Sequence, residues 1–343
     1  MTTDVLAHPP DTDPEFARIV DELTRRGFLA GVAGSAALLG LTACGTRGGA
    51  TGSGTSPSRS TRTVSTIHGD VAVPANPARV VTVSFVGAAN LLDLGVTPIG
   101  GVTAGVEFLP DYQSKLATMP LVANTAGQVQ LETVASLRPD LIVGSDWADP
   151  SKALLPYEKL TTIAPTALFE QAASVGNWET QAQGYAEAVN CLDKLAPLRD
   201  ALTDAQEQIR RTYADLLRTQ RWVLINASAS GWYRYSAQAS HAKVLAGAGV
   251  QFTPDATHQK AAFEQLSFEQ LGQLADADVI GLGRAADAAW QDALTGQQLF
   301  RELPAVRAGH RYDMKWFFPS SYRTALALLD QVEPVLRDWK AAK

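Results

Sequence analysis

The chain has 343 residues, of which 46% are hydrophobic and 19% charged, and its formal net charge is −6. This length is sufficient for two domains of ordinary size. A weakly acidic chain without a block of Lys and Arg lacks the positive surface that nucleic-acid binding requires, so that class of function is excluded.

Residues 1–44 are predicted to be an export signal that carries a lipidation site. Arg25 and Arg26 precede an apolar run of small residues, which is the twin-arginine pattern. The run is only about 15 residues long, whereas a membrane-spanning helix needs about 20 strongly apolar ones. It ends in Leu41-Thr42-Ala43-Cys44, a bacterial lipobox, which predicts that Cys44 becomes the lipidated first residue.

Residues 45–63 are predicted to be a flexible tether, because Gly, Ser, Thr and Arg dominate them and cannot build a core. Loss of residues 1–44 removes six acidic residues and three arginines, which changes the formal charge from −6 to −3. With Cys44 committed to lipid, Cys191 has no disulfide partner and is predicted to be a small buried residue.

Residues 64–176 are predicted to form a first α/β lobe. Short apolar strands alternate with helical patterns in this segment, which indicates a parallel sheet. Ligands of such sheets bind at the carboxyl ends of the strands. These ends are predicted at Ser84-Phe85, Gly100–Glu107 and Ser145–Asp149.

The helical segment 177–220 contains a long predicted helix at 197–219. Its apolar residues recur every three or four positions, and Pro197 suits the first turn. Such a helix would be about 34 Å long. We interpret it as a rigid spacer between two lobes; the alternative is one more surface helix of a single domain.

Residues 221–343 are predicted to form a second α/β lobe, and one unit of the first lobe recurs in it. Leu131-Glu132 begins a short helix that precedes the strand after Asp140, and Phe268-Glu269 begins one that precedes the strand after Asp278. The helix dipole favours an acidic residue at either position. The matching placement of Glu132 and Glu269 further suggests a partner that contacts both lobes.

No catalytic motif stands out in the chain. It has no G-x-S-x-G elbow and no H-E-x-x-H, and its five histidines include no i, i+3 or i, i+4 pair. The segment 281–286 fits a loose dinucleotide fingerprint but opens no βαβ unit with the required acidic residue. We therefore predict a protein that is not an enzyme and that holds no metal site of its own.

Aromatic residues and arginines are concentrated at predicted strand ends. Rigid rings and guanidinium groups suit a bulky, partly aromatic, anionic ligand. The predicted ligand-binding residues are Phe85, Trp147, Trp232, Tyr233, Arg234, Arg284, Trp316 and Phe317. The alternative is that these rings are core residues, which we expect for Tyr235 and Phe318, and that the arginines are ordinary surface charges.

Four passages resemble one known family. They are 67–100, LETVASLRPDLIVGS at 131–145, LSFEQLGQLADADVIGLG at 266–283, and 299–330. The chain is similar to the iron–siderophore substrate-binding lipoproteins of ABC importers, which have the class III periplasmic-binding-protein fold. The resemblance implies two Rossmann-like α/β lobes with mostly parallel sheets, joined by one long backbone helix.

The resemblance also implies a function and partners. A monomeric receptor would hold a ferric siderophore between its lobes and deliver it to a permease dimer, on which Glu132 and Glu269 would dock. The lipid on Cys44 would anchor it at the outer face of the cytoplasmic membrane. No cofactor is implied, because the iron arrives already wrapped.

Haem or cobalamin is the alternative ligand within the same importer class. Haem would require an axial ligand such as Tyr233, Tyr235 or His241. The aromatic segment 228–235 favours an aromatic or amphiphilic siderophore. Functions of other classes are an enzyme on the same scaffold, for which no catalytic set is visible, and a structural envelope lipoprotein, which leaves the paired glutamates unexplained.

Overall fold

The computed structural model describes residues 60–103, 107–124, 128–171, 176, 178–285 and 287–341. The predicted export signal, the lipidation site Cys44 and residues 45–59 of the predicted tether lie outside these ranges. None of the described helices combines the length and the apolar character that crossing a membrane requires.

The N-terminal lobe contains a hairpin and a parallel sheet. The hairpin joins β1 (Thr61–Thr66) to β2 (Gly69–Pro74), and the sheet has the order β3 (Val80–Thr82), β4 (Leu141–Asp146), β5 (Thr166–Glu170). All of β4 is buried, as expected for a strand covered on both faces. The helices of this lobe are α1 (Gly87–Asp93), α2 (Pro110–Leu116), α3 (Leu131–Ser136), α4 (Tyr157–Thr161) and α5 (Trp178–Ala188).

The C-terminal lobe contains a mixed sheet. Its strands are β6 (Arg221–Ser228), β7 (Gly231–Tyr235), β8 (Gln251–Phe252), β9 (Phe263–Leu266), β10 (Val279–Gly283) and β11 (Arg311–Met314). The order is β11-β10-β6-β7-β9, with β8 beside β6. Strands β6, β8, β10 and β11 run parallel, whereas β7 and β9 are antiparallel to their neighbours.

Short helices surround this second sheet, and one long helix closes the chain. They are α8 (Ser240–Gly247), α9 (Pro254–His258), α10 (Ala288–Thr295), α11 (Gln298–Glu302), α12 (Pro304–Arg307) and α13 (Tyr322–Ala341). Three single-turn or short 3₁₀ helices lie at Pro150–Lys152, Leu192–Lys194 and Phe268–Leu274.

The predicted helix at 197–219 is two helices, α6 (Leu195–Thr212) and α7 (Ala214–Thr219). Tyr213 leaves helical geometry, with φ −116° and ψ 20°. The helical hydrogen bonds from Tyr213 N to Ile209 O and from Leu217 N to Tyr213 O remain on either side. The prediction missed the interruption because the three- and four-residue apolar spacing continues across it.

The two sheets share one hydrophobic core. Leu141 and Val143 of β4 belong to the same buried cluster as Trp222 and Leu224 of β6, together with apolar residues of α5, α6 and α13. The intervening side chains of each strand point into a separate core within their own lobe. This division follows from the alternation of side chains along a strand. Each sheet therefore has one face against its own lobe and one against the shared core.

Polar contacts attach α13 of the second lobe to α1 and α2 of the first. The backbone N–H of Arg323 donates to Asp93 Oδ2 at 2.9 Å, and its guanidinium donates to Asp111 Oδ2 at 2.8 Å. The Tyr112 hydroxyl donates to Asp93 Oδ1 at 2.6 Å, and Asn90 Nδ2 donates to Ser320 O at 2.7 Å. We call these six residues the interlobe anchor. Burial raises the pKa of the Asp93 carboxyl, although Tyr112 and Arg323 oppose that shift by donating to it.

We expect Tyr112→Phe to lower the free energy of unfolding by about 1–3 kcal/mol, since a partly buried carboxylate loses a hydrogen-bond donor. Urea denaturation measures the change. The control is Tyr157→Phe, which keeps the ring that stacks on His68 and should change stability by less than about 0.5 kcal/mol. Equal effects of the two substitutions would show that the Tyr112 hydroxyl contributes nothing to the anchor.

Candidate functional site

A cavity of about 650 Å³ lies between the lobes, at the carboxyl ends of the parallel strands. The first lobe contributes residues that follow β3 and β5, and the second contributes residues at the ends of β6, β10 and β11. The first-lobe lining residues are Phe85, Val86, Glu107 and Gln171. Those of the second lobe are Asn226, Tyr235, Ala239–His241, Phe263, Arg284, Ala285 and Lys315–Ser320. This is where ligands of open α/β sheets bind.

Several aromatic rings line the cavity. Phe85, Phe263 and Phe318 leave 41%, 50% and 52% of their surface exposed. Phe317 and Tyr235 are buried beneath them, with ring centroids 5.3 Å apart and the rings edge to face. Large exposed rings grouped in a concave site mark a binding surface, because leaving them in water is unfavourable.

His241 lies at the floor of the cavity within these aromatic rings. Its ring centroid is 4.3 Å from that of Phe317 and 4.7 Å from that of Tyr235. The side chain is 1% exposed, and neither ring nitrogen has a hydrogen-bond partner among the residues that the structure describes. Burial lowers the pKa of His241 to about 3, so the imidazole is neutral at physiological pH. Among the described residues, no group of three His, Cys, Asp or Glu side chains could hold a metal ion.

Three charged side chains of the described part of the chain line the cavity. Glu107 of the first lobe accepts a hydrogen bond from Arg284 Nη1 at 2.9 Å, and its other oxygen is 3.9 Å from Lys315 Nζ. Lys315 Nζ also lies 5.0 Å from the centre of the Trp316 ring. A carboxylate of one lobe thus pairs with two cations of the other at the edge where the lobes meet.

The cavity brings together four of the eight predicted ligand-binding residues: Phe85, Arg284, Trp316 and Phe317. Tyr233 lies just outside it, with its ring edge-on to Phe263 at 5.7 Å between centroids. Trp147 is partly buried in the loop after β4 and is not among the lining residues. That loop is turned by Asp146, whose carboxylate accepts the backbone N–H groups of Trp147, Leu154 and Leu155.

Two predicted ligand-binding residues, Trp232 and Arg234, lie elsewhere, which corrects the prediction. Trp232 is fully buried in the core of the second lobe, and its indole N–H donates to Ser267 O at 2.9 Å. Arg234 is 8% exposed. Its guanidinium donates to side chains on three neighbouring segments, namely Gln259, Asp255, Gln273 and Glu264.

The physical reason is that 231–235 is a strand and not a loop. Side chains alternate along β7, so Trp232 and Arg234 point to the face opposite that of Tyr233 and Tyr235. Tyr235, expected in the core, lines the cavity while 7% exposed, and its hydroxyl donates to Asn226 Oδ1 at 3.1 Å.

The lining residues that were not predicted include Glu107, Phe263, Lys315 and Phe318. Glu107 did fall within a predicted strand end, and Lys315 directly precedes Trp316, so their positions were available as signals. Phe263 reaches the cavity only because β9 pairs with β7, where Phe263 lies opposite Tyr235. No local pattern around Phe263 reports that pairing.

Glu132 and Glu269 occupy the same place in the two lobes. Each is the exposed second residue of a short helix, Leu131–Ser136 or Phe268–Leu274. A hydrogen bond from the Ser267 hydroxyl lowers the pKa of the Glu269 carboxyl.

The repeat continues after these helices. The carboxylate of Asp140 accepts the backbone N–H of Arg79, and that of Asp278 accepts the backbone N–H of Arg221. Arg79 directly precedes β3, which lies beside β4. Arg221 begins β6, which lies beside β10. Each aspartate thereby fixes the start of one strand against the next.

Comparisons with known proteins agree with this architecture. The chain is 29% identical over 317 residues to the probable siderophore-binding lipoprotein YfiY of Bacillus subtilis (strain 168), covering 87% of this chain and 94% of the relative. It is 26% identical to the Fe(3+)-citrate-binding protein YfmC of the same organism, covering 81% and 85%.

A similar solved structure is the siderophore periplasmic binding protein from the fuscachelin gene cluster of Thermobifida fusca. Its TM-score is 0.67 at 24% identity, with 78% of this chain and 98% of that chain covered. At this level of identity the likeness establishes the fold, two α/β lobes of the class III type.

The profile of a family described as periplasmic binding protein matches residues 80–316, which include most of both lobes. The members of this family are substrate-binding components of transport systems and not enzymes. The chain belongs to the periplasmic binding protein family.

Proposed function

We propose that this protein captures a ferric siderophore between its lobes and delivers it to the permease of an ABC importer. The observation that carries the proposal is the aromatic cavity between the lobes, with the cations Arg284 and Lys315 on its second-lobe side. Stacking on rings and pairing with cations suit a bulky, partly aromatic chelate. The names of the relatives YfiY and YfmC support the same ligand class.

The cavity favours a siderophore over haem. A haem receptor needs an axial side chain that faces the ligand, and the sequence offered Tyr233, Tyr235 and His241. Tyr233 is not a lining residue, Tyr235 is 7% exposed with its hydroxyl bonded to Asn226, and His241 is 1% exposed. His241 has unpartnered ring nitrogens but is too deeply buried to extend them into the cavity, whereas a ferric siderophore requires no axial side chain because its iron is already coordinated. No feature of the cavity favours cobalamin.

We further propose that Glu132 and Glu269 dock on the permease. Both are exposed, both begin short helices, and each occupies the same position in the repeated unit of its lobe. An acidic residue per lobe suits a permease that presents a cation to each lobe. Pairs of this kind mainly direct orientation and association rate.

Residues 1–44 and the lipid on Cys44 complete the proposal. The curated relative YfiY is named a lipoprotein. A twin-arginine signal would export the chain, and a lipid at Cys44 would hold it at the outer face of the membrane as a monomeric receptor close to its permease.

The ligand class is tested by tryptophan fluorescence of the purified protein. We expect saturable quenching by a ferric siderophore and not by its iron-free form, with catecholate, hydroxamate and phenolate chelates titrated beside haem. Because Trp316 lines the cavity, Trp316→Phe should remove most of the quenching. Trp339→Phe is the control, since Trp339 packs against His310 and is not a lining residue. Binding of haem alone, with a Soret shift, would replace the siderophore proposal by the haem alternative.

The docking residues are tested by charge reversal. The double variant Glu132→Lys, Glu269→Lys should reduce iron uptake by about tenfold or more while ligand affinity stays unchanged, because like charges then face the permease. Glu179→Lys is a matched control, since Glu179 is also an exposed glutamate in the first turn of a helix. Loss of ligand affinity in the double variant, or equal loss of uptake in the control, would contradict the docking role.

The proposed lipid anchor is tested by substitution of Cys44. We expect Cys44→Ser to abolish incorporation of labelled fatty acid and to release the protein from the membrane fraction, because the substituted side chain cannot carry the thioether-linked lipid. Replacement of Arg25 and Arg26 by lysine should retain the precursor in the cell if export depends on the twin arginines. Unchanged membrane association of the Cys44→Ser protein would show that another segment anchors it.

A further inference from the structure

We propose that Glu107 holds the position that an anionic group of the ligand takes on binding, so that the cavity selects ferric chelates of net negative charge. This inference deepens the proposed function and rests on it. It depends on a single arrangement, the carboxylate of one lobe placed between two cations of the other.

The two cations are adjacent because their strands are adjacent. Arg284 follows β10 and Lys315 follows β11, and these strands pair in parallel, so both side chains emerge at the same edge of the sheet. Glu107 comes from the segment before α2 in the first lobe. Its Oε1 is 2.9 Å from Arg284 Nη1, and its Oε2 is 3.9 Å from Lys315 Nζ. One carboxylate thus serves both cations, as a carboxylate or phenolate of a ligand would.

The exposure of the three groups makes an exchange feasible. The side chain of Arg284 is 79% exposed and that of Lys315 is 52% exposed, whereas Glu107 is 33% exposed. Ion pairs between such solvated groups are weak and are readily replaced. A ligand anion whose chelate also packs against the aromatic rings can replace Glu107 as the charge-assisted hydrogen-bond partner of Arg284.

Other arginines near the lobe boundary are not available to pair with an anionic group of the ligand. Arg234 is 8% exposed, and its guanidinium is saturated by four side-chain acceptors on the opposite face of the sheet. Arg323 pairs with Asp111 in the interlobe anchor and is not a lining residue. Among the lining residues that the structure describes, Arg284 and Lys315 are the arginine and lysine, and Glu107 is the acidic residue facing both.

The charge balance predicts the direction of selectivity. While Glu107 pairs with both cations, the three groups carry a net charge of one positive unit. When a ligand anion replaces it, both cations face the ligand. An anionic chelate therefore has to compete with Glu107 and is repelled by it, whereas a cationic chelate gains nothing from the exchange. Glu107 therefore weakens the binding of anionic ligands, and only a chelate with enough negative charge to displace Glu107 from the two cations binds.

The test compares the wild-type protein with Glu107→Gln, a variant of similar shape without the charge. The probes are a triply anionic ferric triscatecholate and the cationic ferric complex of desferrioxamine, titrated by tryptophan fluorescence. We expect Glu107→Gln to bind the triscatecholate about threefold to tenfold more tightly at low salt and the desferrioxamine complex no more tightly than wild type does. The gain should shrink at high salt, where exposed charges are screened. The control is Glu158→Gln, which makes the same change of net charge at an exposed residue of α4 that does not line the cavity.

A second variant tests whether the effect of Glu107→Gln on affinity depends on Arg284. In the Arg284→Gln background, Glu107→Gln should give a much smaller gain, because one of the two released cations is missing. Weaker or unchanged triscatecholate binding by Glu107→Gln, while wild type binds that chelate, would overturn this inference and leave the proposed function standing. Binding of the cationic complex alone would also overturn it. Failure of every ferric chelate to bind wild type and both variants would overturn the proposed function together with the inference.

Discussion

The attachment of α13 to the first lobe is the constraint on which the rest of the structure depends. The chain leaves β11, forms the cavity wall at 315–320 and then enters α13, whose residue Arg323 bonds to Asp93 and Asp111. The wall is therefore held between a strand of its own lobe and an anchor on the other lobe. The backbone of this segment is held in place relative to the first lobe because both of its ends are fixed.

The shared hydrophobic core also restricts the movement of one lobe relative to the other. Leu141 of β4 and Leu224 of β6 belong to one buried cluster that also includes residues of α6 and α13. Separating the lobes would expose this apolar surface, at a cost that rises with every buried methylene group. Large opening motions are thereby disfavoured, and adjustment to a ligand falls to the exposed side chains of the cavity. Rings such as Phe318 and ion pairs such as Glu107–Arg284 can move without breaking the core.

The sequence was informative where a pattern is local and repeated. The parallel strands, the position of their carboxyl ends and the paired short helices of Glu132 and Glu269 follow from apolar periodicity and helix-start signals, and the structure has these features. Periodicity could not reveal the interruption at Tyr213, because the apolar spacing is the same on both sides. It also could not decide between a loop and a strand at 231–235, where glycine, arginine and aromatic residues suit either.

The composition of the cavity was the least predictable feature, because it depends on pairings between distant segments. Phe263 enters it through an antiparallel strand pair with β7, and Glu107 meets Arg284 across 177 residues of sequence. Arg234 shows the converse error. An arginine among aromatic residues resembles a ligand contact, yet its partners are side chains 21 to 39 residues away that only the folded chain brings together. Residue type indicated that aromatic and cationic side chains gather near the strand ends, while strand alternation decided which of them line the cavity.

The repeated unit connects this cavity to the two proposed docking residues. In each lobe a short helix begins with an exposed glutamate, and an aspartate beyond that helix fixes the next strand against its neighbour. The strands fixed in this way are the ones whose carboxyl ends form the cavity, so the position of each glutamate is tied to the position of the ligand-binding loops. Because the interlobe anchor and the shared core limit how far the lobes move apart, the distance between Glu132 and Glu269 is nearly constant as well. A permease that binds both glutamates then receives the cavity in a defined orientation whether or not the lobes rearrange on binding.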